Sequence, residues 1–369
     1  MNMKIGICFG GYNPLHQGHL DLIMRAKKEN DLCFVFVCGY DNEPRSLEIN
    51  LNINERFDLI KDFFYDDEQI IVNYINDTEL GIDQSMSDHN WIVWQNEVKD
   101  IILNYIFILN YNFKDVEFTW YVASDTGYKE ILERINILNG KIIEMDRVLP
   151  VSGTQIRNNP IKYFNNITRP FKPYMCHNIL VVGTSSEGKS TLVQDISNYF
   201  DIPFAPEYGR LYMEYNKMTD IDLSYNEFNH FLFGQINLCN QHKNNAKNGI
   251  FISDTDSCVT LMYAKTYIND PAINISQEEY DDLYKCAKTF HKQKKVKWDK
   301  IFVLPPNKTF KDDGLRYMKQ SSMEEREKNF KILEELLNDF YPNISKTYLT
   351  GSYYENFNAV KDYINNLMK

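Results

Sequence analysis

Several features are scarce in this sequence, and each scarcity removes a class of protein. The 369 residues include seven cysteines, spread from Cys8 to Cys286 with no C-x-x-C pair and no zinc spacing. That speaks against a disulfide framework or a structural zinc, and for reduced thiols in a cytoplasmic setting. Long apolar runs are missing too: residues 101–109, the most apolar helical stretch, are far short of the about 20 residues a membrane helix needs. No membrane insertion is expected. Basic residues are outnumbered, 40 Lys and Arg against 51 Asp and Glu for a net charge of −11, so no nucleic-acid platform is expected, although local phosphate pockets can still be basic. The start leads directly into residues 4–9, too short and Gly-rich for a signal peptide. No internal repeat or low-complexity tract is present. What remains is an ordinary globular composition, 43% hydrophobic and 25% charged, in a chain long enough for two domains with separate cores.

The strongest motif is Gly183-Thr184-Ser185-Ser186-Glu187-Gly188-Lys189-Ser190, which fits G-x-x-x-x-G-K-[ST]. An apolar run at 179–182 precedes it, and Leu192, Val193, Ile196, Tyr199 and Phe200 follow at helical spacing. This strand, loop and helix context is what a phosphate loop requires. Gly183, Ser186 and Gly188 shape a backbone whose N–H groups point at phosphate oxygens, and Thr191 continues the helix start. Lys189 would reach the outer phosphates of ATP, and Ser190 would ligate Mg²⁺. Downstream, residues 249–256 form an apolar strand ending in acid, where such folds put a carboxylate that holds Mg²⁺ or accepts a proton. Asp254 is the candidate for both. Asp256 is equally compatible with helix capping.

A second pattern lies near the start. An apolar strand at 5–9 runs into Gly10-Gly11-Tyr12-Asn13-Pro14-Leu15-His16-Gln17-Gly18-His19, and Leu20, Ile23 and Met24 then keep a helical period. His16 and His19 therefore sit on one face at the mouth of a helix. Two imidazole donors at a positive helix end, with Gly10, Gly11 and Gly18 allowing close approach, suit an oligophosphate. Residues 151–157, VSGTQIR, offer another anion-facing helix start through Ser152 and Thr154, with Arg157 behind it.

These residues resemble a known family. The His16-x-Gly18-His19 stretch resembles the H-x-G-H nucleotidyltransferases, and Ser152-Gly153-Thr154-x-Ile156-Arg157 resembles their second signature. A phosphate-loop domain behind such a domain resembles the bifunctional nicotinamide-nucleotide adenylyltransferase/ribosylnicotinamide kinases of the NadR type, and the resemblance covers nearly the whole chain. It implies NAD salvage: a C-terminal kinase converting nicotinamide riboside to the mononucleotide (NMN), and an N-terminal domain joining NMN to ATP to give NAD. The implied catalytic residues are His16, His19 and Arg157 in the first domain and Lys189, Asp254 and Arg316 in the second. For substrate binding it implies Trp91, stacked on the nicotinamide, with Glu207, Tyr208 and Arg210, to which Asp125 and Asp256 are added as acids at the C-terminal ends of apolar strands; for a lid over the transferring phosphoryl it implies Asp313, Arg316 and Arg326. Pro206 stands where some relatives carry Trp, and Gln17 and Gly11 stand where close relatives often carry Thr and Lys.

The fold expected is α/β, two doubly wound parallel-sheet domains, because buried apolar strands alternate with amphipathic helices in both halves. The expected division is residues 1–157 for the nucleotidyltransferase domain, 158–176 for a proline-bearing linker and 177–369 for the kinase-like domain. Some relatives carry an N-terminal helix-turn-helix module, and a first strand at about residue 4 leaves no room for one in this sequence. Two other readings stay open: a sensor of NAD and ATP with weak turnover, and a different nucleotidyltransferase fused to another small-molecule kinase. A homo-oligomer is also left open.

Overall fold

The computed structural model describes residues 2–83, 85, 87–146, 151–273, 275–292, 297–311 and 321–369. They form two compact units, Met1–Met175 and Cys176–Lys369.

In the first unit the strands and helices alternate as the sequence period requires: β1 (Met3–Gly10), α1 (Gln17–Glu29), β2 (Leu32–Gly39), α2 (Pro44–Ile49), α3 (Ile53–Phe63), β3 (Ile70–Asn76), α4 (Asp88–Ile108), β4 (Val116–Ala123), α5 (Tyr128–Arg134), β5 (Lys141–Met145) and α6 (Gly153–Asn158). All strand pairs are parallel, in the order β3-β2-β1-β4-β5. β2 is an unbroken apolar run because both its faces are covered by helices. Ile7 pairs with Phe34 on one side and Trp120 on the other. These residues, with Trp94, Val98 and Ile102 from α4, form the core of one face. The chain leaves β1 for β2 on one side, and β4 lies on the other. The crevice above the C-terminal ends of β1 and β4 is therefore the switch point where open sheets of this kind take ligands.

Of residues 158–176, expected as a linker, 158–175 are built into this unit. Phe164, Ile167, Phe171 and Met175 recur every three or four residues and are buried. Thr168 Oγ1 donates to Leu15 O at 2.9 Å, and His16 bridges to Ile167. Pro170 and Pro173 sit in a 3₁₀ stretch, Arg169–Met175, that carries this stripe. The prolines mask the apolar period in the sequence.

The second unit contains β6 (His177–Gly183), α7 (Lys189–Phe200), β7 (Phe204–Ala205), α8 (Tyr208–Asn216), α9 (Tyr225–Lys243), β8 (Ile250–Asp254), α10 (Ser257–Thr266), α11 (Gln277–Lys292), β9 (Lys300–Leu304), α12 (Met323–Phe340), β10 (Lys346–Tyr348) and α13 (Tyr353–Leu367). Its parallel sheet runs β10-β9-β6-β8-β7, with β6 central. The ends of β8 and β9 therefore flank whatever follows β6. Among the described residues no helix is long and apolar enough to cross a membrane.

Candidate functional site

In the first unit the loop leaving β1 closes over the start of α1. His16 is the N-cap of α1, and its carbonyl accepts from the amides of His19 and Leu20 at 2.9 and 3.1 Å. His19 Nδ1 faces the amide of His16 at 3.4 Å, which leaves Nε2 as the donor position of a neutral His19. The two rings stack with centroids 3.8 Å apart, and Tyr12 meets His19 edge-on at 5.0 Å. A Cβ on Gly18 would come within 3.2 Å of the His16 ring, so a larger residue there would force the ring to move.

The second signature arrives from α6. Ser152 caps it, accepting from Gln155 N at 3.2 Å while Gln155 Oε1 accepts from Ser152 N at 2.8 Å. Arg157 donates to Asn13 O at 2.7 Å, to Thr154 Oγ1 at 3.2 Å and to Glu48 at 2.5 Å. Gly153 makes this approach possible, since a Cβ there would lie 3.1 Å from Asn13 O. Gly10, Gly11, His16, Gly18, His19, Ser152, Thr154 and Arg157 thus line one cavity of about 230 Å³ at the β1/β4 switch point. Thr126 lines it in place of the expected Asp125, which is exposed in the turn after β4.

Sequence reasoning missed what holds this loop. Glu43, 1% exposed, accepts from Asn13 Nδ2 at 3.2 Å and Ser46 Oγ at 3.3 Å, and pairs with Arg45 and, at 3.3 Å, with Arg56. Arg56 is fully buried and also donates to Gly11 O and to Cys38 O. Burial lowers the pKa of its guanidinium to about 10, which leaves it charged at neutral pH. Arg45 lies beside Gly11, its Nη2 3.7 Å from where a Cβ would be, so a cation stands next to this turn. The available signal was a charged cluster, Glu43-Pro44-Arg45, directly after an apolar strand.

A second cavity of about 360 Å³ adjoins the first, sharing Phe9, Gly10, Gly11, Arg45 and Tyr128. Trp91, expected against a nicotinamide, lines it together with Trp94, and Trp91 also packs edge-on against Phe9 and Tyr128. Its ring serves the core and the cavity wall at once.

In the second unit the phosphate loop has the expected form. A Cβ on Gly183 would stand 2.4 Å from Leu304 O, and Gly188 has φ +86, a left-handed value that favours glycine. Lys189 is buried and donates to Thr184 O at 2.8 Å; Ser190 and Thr191 are exposed in the first turn of α7. Asp254, 1% exposed at the end of β8, is pushed up to about 6 by burial, opposed by Lys189 and reinforced by Glu207, with Ser190 and Arg210 also acting on it. The expected residues Lys189, Ser190, Asp254, Glu207 and Arg210 are therefore neighbours. Asp254 Oδ1 is buried and has no hydrogen-bond partner among the described residues. A bare carboxylate oxygen beside a serine hydroxyl is a hard oxygen donor set, which fits Mg²⁺. Tyr208 packs where a Cβ on Gly234 would fall 2.1 Å from its ring, and its amide donates to Gln235 Oε1 at 2.7 Å. Glu207 opens onto a narrow cleft with Phe228, Phe231, Gln235 and Tyr263.

Two expectations need correcting. Asp256 is a helix cap: it accepts from Cys258 N at 3.0 Å, from Trp298 Nε1 at 3.2 Å and from Tyr341 OH. It is not among the residues lining the Glu207 cleft, to which Thr255 contributes instead. Arg326 is not on a solvated lid: it is buried in the first turn of α12, paired with Glu187 of the phosphate loop and donating to Lys308 O at 2.7 Å. Lys308 in turn donates to Glu187 O at 2.7 Å, a phosphate-loop contact that the sequence did not single out. Asp313 and Arg316, the other lid residues expected, lie outside the described residues.

The fold and the two cradles define a fused pair of nucleotide-handling domains, one of the nucleotidyltransferase class and one of the phosphate-loop class. Residues 7–159 match the cytidylyltransferase-like family model and residues 178–355 the AAA domain model. The chain is 26% identical over 329 residues to the trifunctional NAD biosynthesis/regulator protein NadR of Salmonella typhimurium, covering 86% of this chain and 73% of that one. It superposes on a crystal structure of NadR in complex with NR with a TM-score of 0.82 at 26% identity, covering all of this chain and 96% of the other. With NadR in complex with NAD and AMP-PNP the TM-score is 0.80 at 25% identity, over all of this chain and 98% of the other. The chain is thus similar to NadR over nearly its whole length.

Proposed function

We propose that this protein carries out two consecutive steps of NAD salvage, phosphorylating nicotinamide riboside in the second unit and adenylylating the resulting mononucleotide in the first. The observation that carries the reading is the pair of separate anion cradles, one lined by His16, His19 and Arg157 and one by the loop ending in Lys189, on a chain similar over its whole length to NadR. The NadR structures hold NR in one case and NAD with an ATP analogue in the other, which are a substrate of the first step and the product of the second.

In the second unit the 5′-hydroxyl oxygen of the riboside would form a bond to the γ-phosphorus of ATP as the bond from that phosphorus to the bridging oxygen of ADP breaks. Asp254, held near neutrality by burial, would accept the hydroxyl proton. Lys189 would turn from Thr184 O to the phosphate oxygens. Ser190 and Asp254 would hold Mg²⁺, which supplies charge neutralisation on the phosphates when bound. Glu207 and Arg210, whose charges both act on Asp254, would hold the riboside. Arg316 is proposed as the arginine that reaches the transferring phosphoryl.

In the first unit a phosphate oxygen of the mononucleotide would attack the α-phosphorus of ATP, and pyrophosphate would leave. A phosphate is already a competent nucleophile, so this step asks for orientation and charge stabilisation more than for a base. His16, His19 and Arg157 converge on one cavity and would supply donors to the oxygens that gain charge. Trp91 would stack on the base in the adjoining cavity.

The test incubates the protein with ATP, Mg²⁺ and nicotinamide riboside and follows mononucleotide, NAD, ADP and pyrophosphate separately. ADP should appear one for one with total mononucleotide formed, and pyrophosphate one for one with NAD. Supplying the mononucleotide directly and finding neither pyrophosphate nor NAD would remove the second step.

A further inference from the structure

We propose that Asp77 is the residue by which the first unit selects a pyridine carboxamide over the corresponding pyridine carboxylic acid. The inference rests on the reading of this unit as a mononucleotide adenylyltransferase.

Asp77 follows β3 directly, at the sheet edge where ligands bind, and its amide is pinned to Gly39 O at 2.8 Å. Its carboxylate faces the larger cavity, whose opposite wall is aromatic: Phe9, Trp91, Trp94 and Tyr128. Asp77 Oδ1 is buried and has no hydrogen-bond partner among the described residues. A buried acceptor left unmatched is costly, and an incoming N–H donor recovers that cost. Because this cavity shares a wall with the histidine cradle, a mononucleotide with its phosphate among the cradle donors would carry its flat base into the aromatic cavity.

The charges around Asp77 decide which base fits. Arg45 lines the cavity, but it is paired with Glu43, and so is Arg56 beneath it at 3.3 Å. Asp83 is already engaged by Asn90 Nδ2 at 2.6 Å and Ser85 N at 2.8 Å. The remaining titratable groups on the wall, Cys38, Tyr40 and Tyr128, carry no positive charge at neutral pH. No uncommitted cation among these groups is left to receive a carboxylate, whereas a carboxamide NH₂ would give Asp77 the donor it lacks. A carboxylic-acid substrate would bring a second negative charge against it. Burial, reinforced by Glu43, holds the Asp77 carboxyl up to about 6, so it is mainly ionised at pH 7.5 and protonated at pH 5.

The experiment measures kcat/KM for adenylyl transfer from ATP to nicotinamide mononucleotide and to nicotinate mononucleotide, following pyrophosphate, for wild type and Asp77→Asn. Asn keeps an acceptor for the amide and removes the charge. The wild type should prefer the amide, and in D77N the amide-to-acid ratio should fall by about 10- to 100-fold, mostly through a lower KM for the acid. An unchanged ratio in D77N would overturn the assignment. A second reading needs no variant. Between pH 7.5 and 5 the wild-type ratio should fall as Asp77 is protonated, and a ratio flat over that range would also overturn it. Wild-type protein inactive on both mononucleotides would instead remove the adenylyltransferase reading, and the inference with it.

Discussion

His16 and His19 stack ring on ring, 3.8 Å between centroids and 27° between planes, at the mouth of α1. The packing orders both imidazoles before any ligand arrives, so donors already stand where negative charge would develop, and such preorganised donors are worth about 10²- to 10³-fold each. His19→Ala should lower NAD formation from NMN by about that factor and leave riboside phosphorylation unchanged. Lys189→Ala should do the reverse. Product analysis of both variants checks this, and one substitution removing both activities from folded protein would mean that the two sites are not independent.

Glu187 and Arg326 form a buried ion pair inside the second unit, 139 positions apart in sequence. Removing one partner strands the other charge, which typically costs about 3–5 kcal/mol. Arg326→Ala should therefore lower the urea midpoint of the second unit and impair the kinase step, with adenylyl transfer from added NMN retained. Arg326→Lys should rescue little, because an ammonium cannot reproduce the fork that reaches both Glu187 and Lys308 O.

Asp254 sets a pH limit. Its carboxyl is raised to about 6 by burial, and only the ionised form accepts a proton or ligates a cation. The kinase kcat/KM should fall on the acid side with an apparent midpoint near that value, and Asp254→Asn should remove the activity. A profile flat down to pH 5 would dismiss Asp254 as base.

Asp256 makes a prediction about stability instead. Burial raises it to about 6, above the roughly 3.9 of an unfolded chain. The fold therefore favours the neutral acid: the stability this contributes is full below about pH 4 and is lost as pH rises through about 6, at most about 3 kcal/mol. Asp256→Asn carries no such charge. Its Tm relative to wild type should therefore improve between pH 4.5 and 7.5, and a constant difference would show that Asp256 does not titrate in that range.

The two phosphate cradles were legible in the sequence because each is made of consecutive residues: an apolar strand, a glycine turn and a helix start. Asp254 was legible for the same reason, as an acid ending an apolar strand. Asp256, two residues later, read equally as a helix cap; the bond from Cys258 N makes it one, and only the tertiary structure adds the Trp298 and Tyr341 donors. Phe171 shows the same limit: it is buried within a proline-bearing stretch that reads as a linker, and Thr168 of that stretch donates to Leu15 O.

What the sequence determined by itself is the local backbone: which stretches are strands, where glycine permits a turn, and which donors head a helix. Tertiary structure alone decided the pairings of Glu43 with Arg56, of Glu187 with Arg326, and of Asp77 with an aromatic wall. The reason is physical. Turn and helix preferences act over a few bonds, while the strength of a charge depends on its distance from water and from a partner, and those distances exist only once strands from distant parts of the chain lie side by side.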